Sequence, residues 1–200
     1  NASIGYFDSP LIEWILIVAM FLSSLHFGLI YSTFARRGNN IFRSEVVRTY
    51  IVVIVAATLF IGTSLYFADI YPNIFTSLRQ SVFQVVSLIT TAGFATADTN
   101  MWTPFAIIIL IFVSIVCACA GSTSGGMKVD RLLLATKVIR NRIYIQQHPN
   151  AVISTKTDGT VQGDNVLNLV MTFIVAYLLL ALAGAVVYAM FGCDITTSMT

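Results

Sequence analysis

Thr90-Thr91-Ala92-Gly93-Phe94-Ala95-Thr96-Ala97-Asp98 is a short polar loop set in sequence otherwise fit for a membrane. A half-length helical pattern, 74–88, leads into it, and an apolar span begins near Pro104 after it. A helix too short to cross, then a Thr/Gly loop, then a helix meant to cross is the order of a re-entrant pore loop. Backbone without helical hydrogen bonds is tolerated at membrane depth only where it lines a protein-walled or wet cavity. The loop's carbonyls are then free to bind something, and a cation is the natural candidate.

The surroundings agree. Of 200 residues, 57% are hydrophobic and 10% charged, against about 25% charged in soluble domains. Mean hydropathy is +0.84, and the bilayer is the expected environment. Four stretches, roughly 11–34, 47–68, 104–120 and 166–191, qualify as crossings, a span needing about 20 mostly apolar residues; the third sits near the lower limit. The first residue is Asn, and Thr196 to Thr200 read as the start of a further segment. The chain is therefore expected to be an internal piece of a longer protein. Cys117 and Cys119 lie two residues apart on different helix faces, with no His or further Cys nearby in sequence. They read as packing residues, since free Cys behaves as a small hydrophobe, and with Cys193 they suggest no disulfide framework.

Charge sets the orientation. Arg36, Arg37, Arg43 and Arg48 surround the first connection, and Lys128, Arg131, Lys137, Arg140, Arg142 and Lys156 occupy the long connection after the third span. Arg79 alone falls in the opposite loops, with Glu13, Asp8, Asp69, Asp98 and Asp194. The positive-inside rule makes the basic loops, 35–48 and 127–165, cytoplasmic, so the pore loop, 69–103, enters from outside. A net charge of +2 gives no reason to invoke nucleic acid.

Ser23, Ser24 and His26 form a polar patch at mid-depth in the first span. Such groups usually face other helices. His26 reads first as a packing residue hydrogen-bonded to a neighbouring helix, and second as a contact to a permeation path. Asn73 is placed to cap the half-length helix. Phe75, Leu78, Val82, Val85, Val86 and Ile89 give that helix an apolar side, and Ser77, Arg79, Gln80, Ser81 and Gln84 a polar one. At about 15 residues it reaches roughly 22 Å, short of a core of about 30 Å. An external helix lying on the membrane would have these features, but it would not explain Thr90-Thr91-Ala92-Gly93 directly before another span. Pointed inward, its C-terminal carbonyls carry a negative dipole end that favours a cation.

The third span runs into Cys117-Ala118-Cys119-Ala120-Gly121-Ser122-Thr123-Ser124-Gly125-Gly126. Three glycines and three hydroxyls in six residues hold a helix poorly, each Gly costing about 1 kcal/mol relative to Ala. Helical pattern resumes at Met127. Interrupted helices mark ion paths or gates, and an ordinary helix stop is the competing reading. Element order then suggests a repeating unit of crossing helix, re-entrant helix with loop, crossing helix. The chain divides into 1–45, the second crossing helix of one unit; 46–147, one complete unit; and 148–200, a cytoplasmic linker, the first crossing helix of the next unit and the start of its pore helix.

Thr90-Thr91-Ala92-Gly93-Phe94 and Ala120-Gly121-Ser122-Thr123-Ser124-Gly125-Gly126-Met127-Lys128 resemble the third filter and the third-repeat intramembrane loop of the bacterial Trk/Ktr potassium-uptake family, related to plant HKT transporters. Asn1-Ala2-Ser3-Ile4-Gly5-Tyr6-Phe7-Asp8-Ser9-Pro10 resembles the stretch after the second filter of Trk-type members. The resemblance covers essentially the whole chain. It implies an all-α polytopic protein of membrane helix–pore loop–membrane helix repeats, potassium-channel-like and here an incomplete set. It implies four repeats around one pore in the bacterial inner membrane, a homodimer, and a cytosolic nucleotide-binding ring as regulator. The filter residues are Thr90, Thr91, Ala92, Gly93 and Phe94, with potassium on the backbone of the first four. The gate loop is Gly121, Ser122, Thr123, Ser124, Gly125 and Gly126, with Lys128. Ser124 departs from the many relatives with glycine there. Potassium is the transported ion, and no organic cofactor is expected in this chain.

Gly93 is suited to a filter because Gly reaches backbone angles that turn carbonyls to an axis without a Cβ penalty. Asp69 and Asp98 either concentrate cations outside or are plain solvated acids. Lys128 docks a regulator, stabilises the loop, or marks the membrane edge. An enzyme is disfavoured. Met127 separates Gly126 from Lys128, so the Gly-Lys-Ser/Thr ending of a phosphate loop is missing, and Ser122 stands where a serine-hydrolase elbow around Ser124 needs Gly. A secondary transporter of another small cation or solute, using a broken-helix site, is the alternative; a purely structural membrane module is a third.

Overall fold

The computed structural model describes residues 3–7, 9–34, 44–148 and 154–191. Asn1, Ala2, Asp8, Arg36, Arg37, Arg43, Cys193, Asp194 and the expected pore-helix start after them lie outside the described residues. The elements are α1 (Pro10–Ser23), α2 (Phe27–Phe34), α3 (Glu45–Phe67), α4 (Ile74–Ile89), α5 (Pro104–Val116), α6 (Val129–Gln147), the short strands β1 (Lys156–Thr157) and β2 (Thr160–Val161), and α7 (Asp164–Met190). The all-α reading holds, with one small antiparallel hairpin added.

Among the described residues two helices, α3 and α7, are long and apolar enough to cross a membrane, and α1 with α2 would make a third span. At 1.5 Å per residue, α3 reaches roughly 34 Å and α7 roughly 40 Å. The first expected span is not continuous: α1 and α2 meet at 95°. Its polar patch explains the break. Ser23 Oγ donates to Met20 O at 2.8 Å and Ser24 Oγ to Phe21 O at 2.7 Å. Met20 O still accepts Ser24 N at 3.2 Å, but Phe21 O, the acceptor that a continuing helix would give Leu25 N, is held by Ser24 Oγ, and Leu25 N turns to Leu22 O at 3.3 Å. His26 Nδ1 then accepts from Gly28 N at 3.0 Å and Leu29 N at 3.4 Å, capping the new helix. The third expected span also stops early, at Val116, because Cys117 adopts φ +54.

α4 sits at the centre, packed against α1, α3 and α5. Its two expected sides do not sort into inside and outside. Ser77, Ser81 and Ser87 are fully buried with Phe83, Val85 and Ile89, whereas Phe75 is 82% exposed. The buried hydroxyls are satisfied by backbone: Ser77 Oγ donates to Gly62 O at 2.6 Å and Ser81 Oγ to Ser77 O at 2.7 Å. Small polar residues let helices approach closely where apolar burial gives no net drive. Gly62 serves that approach, since a Cβ there would come within 2.5 Å of Leu78 Cδ2. Asn73 stands at the N-cap of α4 but its side chain makes no capping bond. Arg79 of α4 pairs with the buried Glu13 of α1, Nε to Oε2 3.1 Å, without the alignment of a hydrogen bond.

The stretch expected to be a plain linker carries the hairpin. Its turn, Asp158 at φ +48 and Gly159 at φ +78, is the backbone that two-residue hairpins require. The Asp158 carboxylate accepts from Ser44 Oγ at 2.7 Å and Glu45 N at 2.6 Å, so it caps α3 from a distant part of the chain. Lys137 of α6 pairs with Glu45 and donates to Lys156 O at 2.8 Å. The hairpin, α6 and the N-terminus of α3 thus meet at one end of α3, and the turn leading to α4 lies at the other.

Candidate functional site

The expected filter residues begin where α4 ends. Thr90 is buried, and Thr91, Ala92, Gly93 and Phe94 are exposed. Thr91 has φ +56 and Gly93 φ +73, so the chain leaves the helix through two left-handed residues. The backbone donors all turn inward. Thr90 N bonds Val86 O at 3.0 Å, Thr91 N bonds Leu88 O at 3.0 Å, Ala92 N bonds Ser87 O at 3.0 Å and Gly93 N bonds Ser87 O at 3.5 Å. Among the described residues, no hydrogen bond ends on the carbonyl oxygens of Thr90, Thr91, Ala92 or Gly93. With the N–H groups turned to α4 and the carbonyls left without hydrogen bonds among the described residues, the loop offers free acceptors fit for a cation.

Bracing residues surround the loop that the sequence reading did not identify. Ser87 Oγ donates to Phe94 O at 2.6 Å. Thr96 Oγ1 lies 2.6 Å from Gln80 Oε1 of α4. The segment before α1 covers the far end: Ile4 N and Gly5 N bond Ala95 O at 3.2 and 3.3 Å, and Ala95 N bonds Ser3 Oγ at 3.3 Å. A Cβ at Gly5 would lie 2.8 Å from Thr96 O, so this approach needs glycine. Asp98 caps the short 3-10 turn Thr99–Met101, accepting from Asn100 N at 3.0 Å. Asp69 occupies the turn after α3 at φ +53.

The second motif, 117–128, is an irregular segment between α5 and α6. Cys117, Ala118, Cys119, Ser124 and Met127 are buried, while Gly121, Thr123 and Gly125 are exposed. Its start and end are tied together by Val129 N to Ala118 O at 3.0 Å and Ala120 N to Asp130 Oδ1 at 2.9 Å. Ser122 Oγ donates to Cys119 O at 2.6 Å and lies 2.7 Å from Ser124 Oγ. Gly121 (φ +73) and Gly126 (φ +78) make the reversals. Lys128 holds φ +69 at the N-cap of α6, where its carbonyl accepts from Arg131 N at 3.2 Å.

The break between α1 and α2 holds this segment. Cys119 N bonds Ser24 O at 3.3 Å, Phe27 N bonds Gly121 O at 3.2 Å, and Thr123 Oγ1 bonds Ser23 O at 3.2 Å. The His26 ring lies against Gly121, where a Cβ would sit 2.9 Å from Nε2. His26 therefore is a packing residue that caps α2 and lies against Gly121 of the second motif. The two motifs themselves meet through one hydrogen bond, Gly125 N to Thr91 Oγ1 at 3.3 Å.

Comparison with known proteins follows this geometry. The TrkH family model, described as cation transport protein, matches residues 1–199. The chain is 35% identical over 195 residues to the Trk system potassium uptake protein TrkH of Salmonella typhimurium, covering 97% of this chain and 40% of that protein. It is 34% identical to TrkH of Escherichia coli K12, with the same coverage. A crystal structure of the potassium transporter TrkH from Vibrio parahaemolyticus is similar at a TM-score of 0.89 and 33% identity, over all of this chain and 43% of that one. The chain spans about 40% of the length of the curated relatives it matches.

Proposed function

The chain belongs to the TrkH cation transport family, and we propose that it supplies one filter strand and one gating loop to a transporter that takes up potassium. The observation that carries this reading is the polarity of the Thr90 to Gly93 backbone: every N–H is spent on α4, and no hydrogen bond ends on these carbonyls among the described residues. A potassium ion sheds its water onto these carbonyls and onto equivalent ones from the rest of the protein. The loop leaves directly from the carbonyl end of α4, whose dipole adds to the attraction.

The segment 121–126, with Lys128, restricts the path as a gate. Its support is the Gly125–Thr91 hydrogen bond, which sets the two motifs against each other. The basic stretches 35–48 and 127–165 lie in the cytoplasm and 69–103 enters from outside, which follows the charge asymmetry. Residues 46–147 are one complete repeat, flanked by parts of two others. The whole transporter sits in the bacterial inner membrane as a homodimer, regulated by a cytosolic nucleotide-binding ring.

Uptake of labelled potassium against sodium, by the complete protein in cells lacking other potassium uptake, tests the reading. Gly93→Ala is expected to degrade discrimination between the two ions, since alanine at φ +73 is strained. Undiminished discrimination by Gly93→Ala would remove 90–94 from the filter. A preference for another solute would favour a different broken-helix transporter.

A further inference from the structure

We propose that Ser87 is the positioning residue of the filter strand, fixing which carbonyls it presents; this rests on reading 90–94 as the filter. Ser87 lies in the last turn of α4 and is fully buried. Both its polar ends are used on the loop. The hydroxyl donates to Phe94 O at 2.6 Å. The carbonyl accepts from Ala92 N at 3.0 Å, Gly93 N at 3.5 Å and, from the side, Thr90 Oγ1 at 3.4 Å. One residue thus closes the loop on itself seven positions later.

The consequence for ion binding is specific. Phe94 O is drawn into the protein, so the run of unpaired carbonyls stops at Gly93. Discrimination among monovalent cations depends on the size of the cage, or on the number and field strength of its carbonyls. Ser87 acts on both, holding the loop at one width and removing one carbonyl from the set. Without the hydroxyl, Phe94 O is released, the loop closes down more readily around a smaller ion, and sodium is rejected less well.

A second buried serine on the same helix separates this role from general support of α4. Ser81 is also fully buried, but its hydroxyl donates to Ser77 O within the helix at 2.7 Å. The test measures the potassium-to-sodium uptake ratio of the complete transporter, per molecule inserted in the membrane, for Ser87→Ala, Ser87→Cys, Ser81→Ala and Gly93→Ala. Losing one hydrogen bond corresponds to about a five- to tenfold fall in the ratio for Ser87→Ala. Ser87→Cys, with its weaker donor, should fall between, and Ser81→Ala should keep the ratio. An unchanged ratio in Ser87→Ala, with Gly93→Ala impaired, overturns the proposal and leaves the filter reading intact. An unchanged ratio in both overturns the filter reading, and this proposal with it. An equal fall in Ser81→Ala makes Ser87 a merely structural residue. Should Ser87→Ala not insert, Ser87→Cys decides in its place, and an unchanged ratio there overturns the proposal.

Discussion

Gly125 donates its backbone N–H to Thr91 Oγ1 at 3.3 Å, and this is how the loop after α4 and the irregular segment after α5 touch. The hydroxyl of Thr91 is thereby committed downward to the second motif, while its own N–H is committed back to α4. Thr91→Val keeps the β-branched shape at φ +56 and replaces the hydroxyl, with the acceptor it offers Gly125 N, by a methyl group. If the second motif is a gate, potassium influx by the complete protein should rise about fivefold, one hydrogen bond's worth, with ion discrimination preserved. Influx unchanged or reduced in this variant would detach the hydrogen bond from gating.

Neighbouring glycines in the second motif should respond very differently to one methyl group. At Gly126 a Cβ would overlap Cys117 Sγ, and φ is +78; at Gly125 nothing lies within 4 Å. Gly126→Ala should lose about 2–4 kcal/mol from strain and overpacking together, read as a lower Tm of the purified protein in detergent. Gly125→Ala should stay close to the parent. Combining Gly126→Ala with Cys117→Ala should relieve the Sγ overlap and leave the 2.9 Å approach to the residue-117 Cβ together with the backbone strain.

The ion pair between α1 and α4 joins a buried acid, Glu13, to a partly exposed base, Arg79, at 3.1 Å. Exposed pairs contribute about 1 kcal/mol or less, whereas breaking a buried pair costs about 3–5 kcal/mol. Glu13→Gln should fall between these limits, because Arg79 keeps some access to water. Thermal unfolding of Glu13→Gln, Arg79→Gln and the double variant measures the coupling. A double variant no better than the sum of the singles would mean that the charges do not interact.

Asp158 is expected to behave as a helix cap although it lies far along the chain from α3. Asp158→Ala should cost about 1–2 kcal/mol, within the range for lost caps, and should also strain the turn at φ +48. Asp158→Asn keeps an acceptor and tolerates that backbone region, so it should lose less. Proteolysis rates across the 154–163 segment report the difference directly.

Long apolar periodicity was legible from sequence, and so was the half-length helix. The 47–68 expectation became Glu45–Phe67, and 74–88 became Ile74–Ile89. Breaks made by side chains were not. Ser23, Ser24 and His26 stood out as polar, but the bend depends on His26 Nδ1 reaching Gly28 N, a geometry that composition does not encode. The hairpin was masked by its length: two residues per strand give no alternation to read, though Asp158-Gly159 is a hairpin turn pair. Ser87 was invisible for a related reason, since a serine among Val and Leu reads as a neutral helix residue until the loop is seen to fold back over it. Element order marked 90–94 as a re-entrant loop and 121–126 as a helix break, and their filter and gate roles came from the family resemblance; neither reveals a loop's internal bonding.

The clasp between the α1–α2 bend and the 119–123 backbone has a consequence for biogenesis. Ser23 O, Ser24 O and Phe27 N find their partners in residues translated long afterwards. Unpaired peptide groups are costly in hydrocarbon. Until that later stretch arrives, the bend needs water or the insertion machinery to satisfy it. Maturation of the α1–α2 bend therefore waits on synthesis of the segment after α5, and a ribosome stalled before Thr123 leaves a nascent chain with an open polar notch.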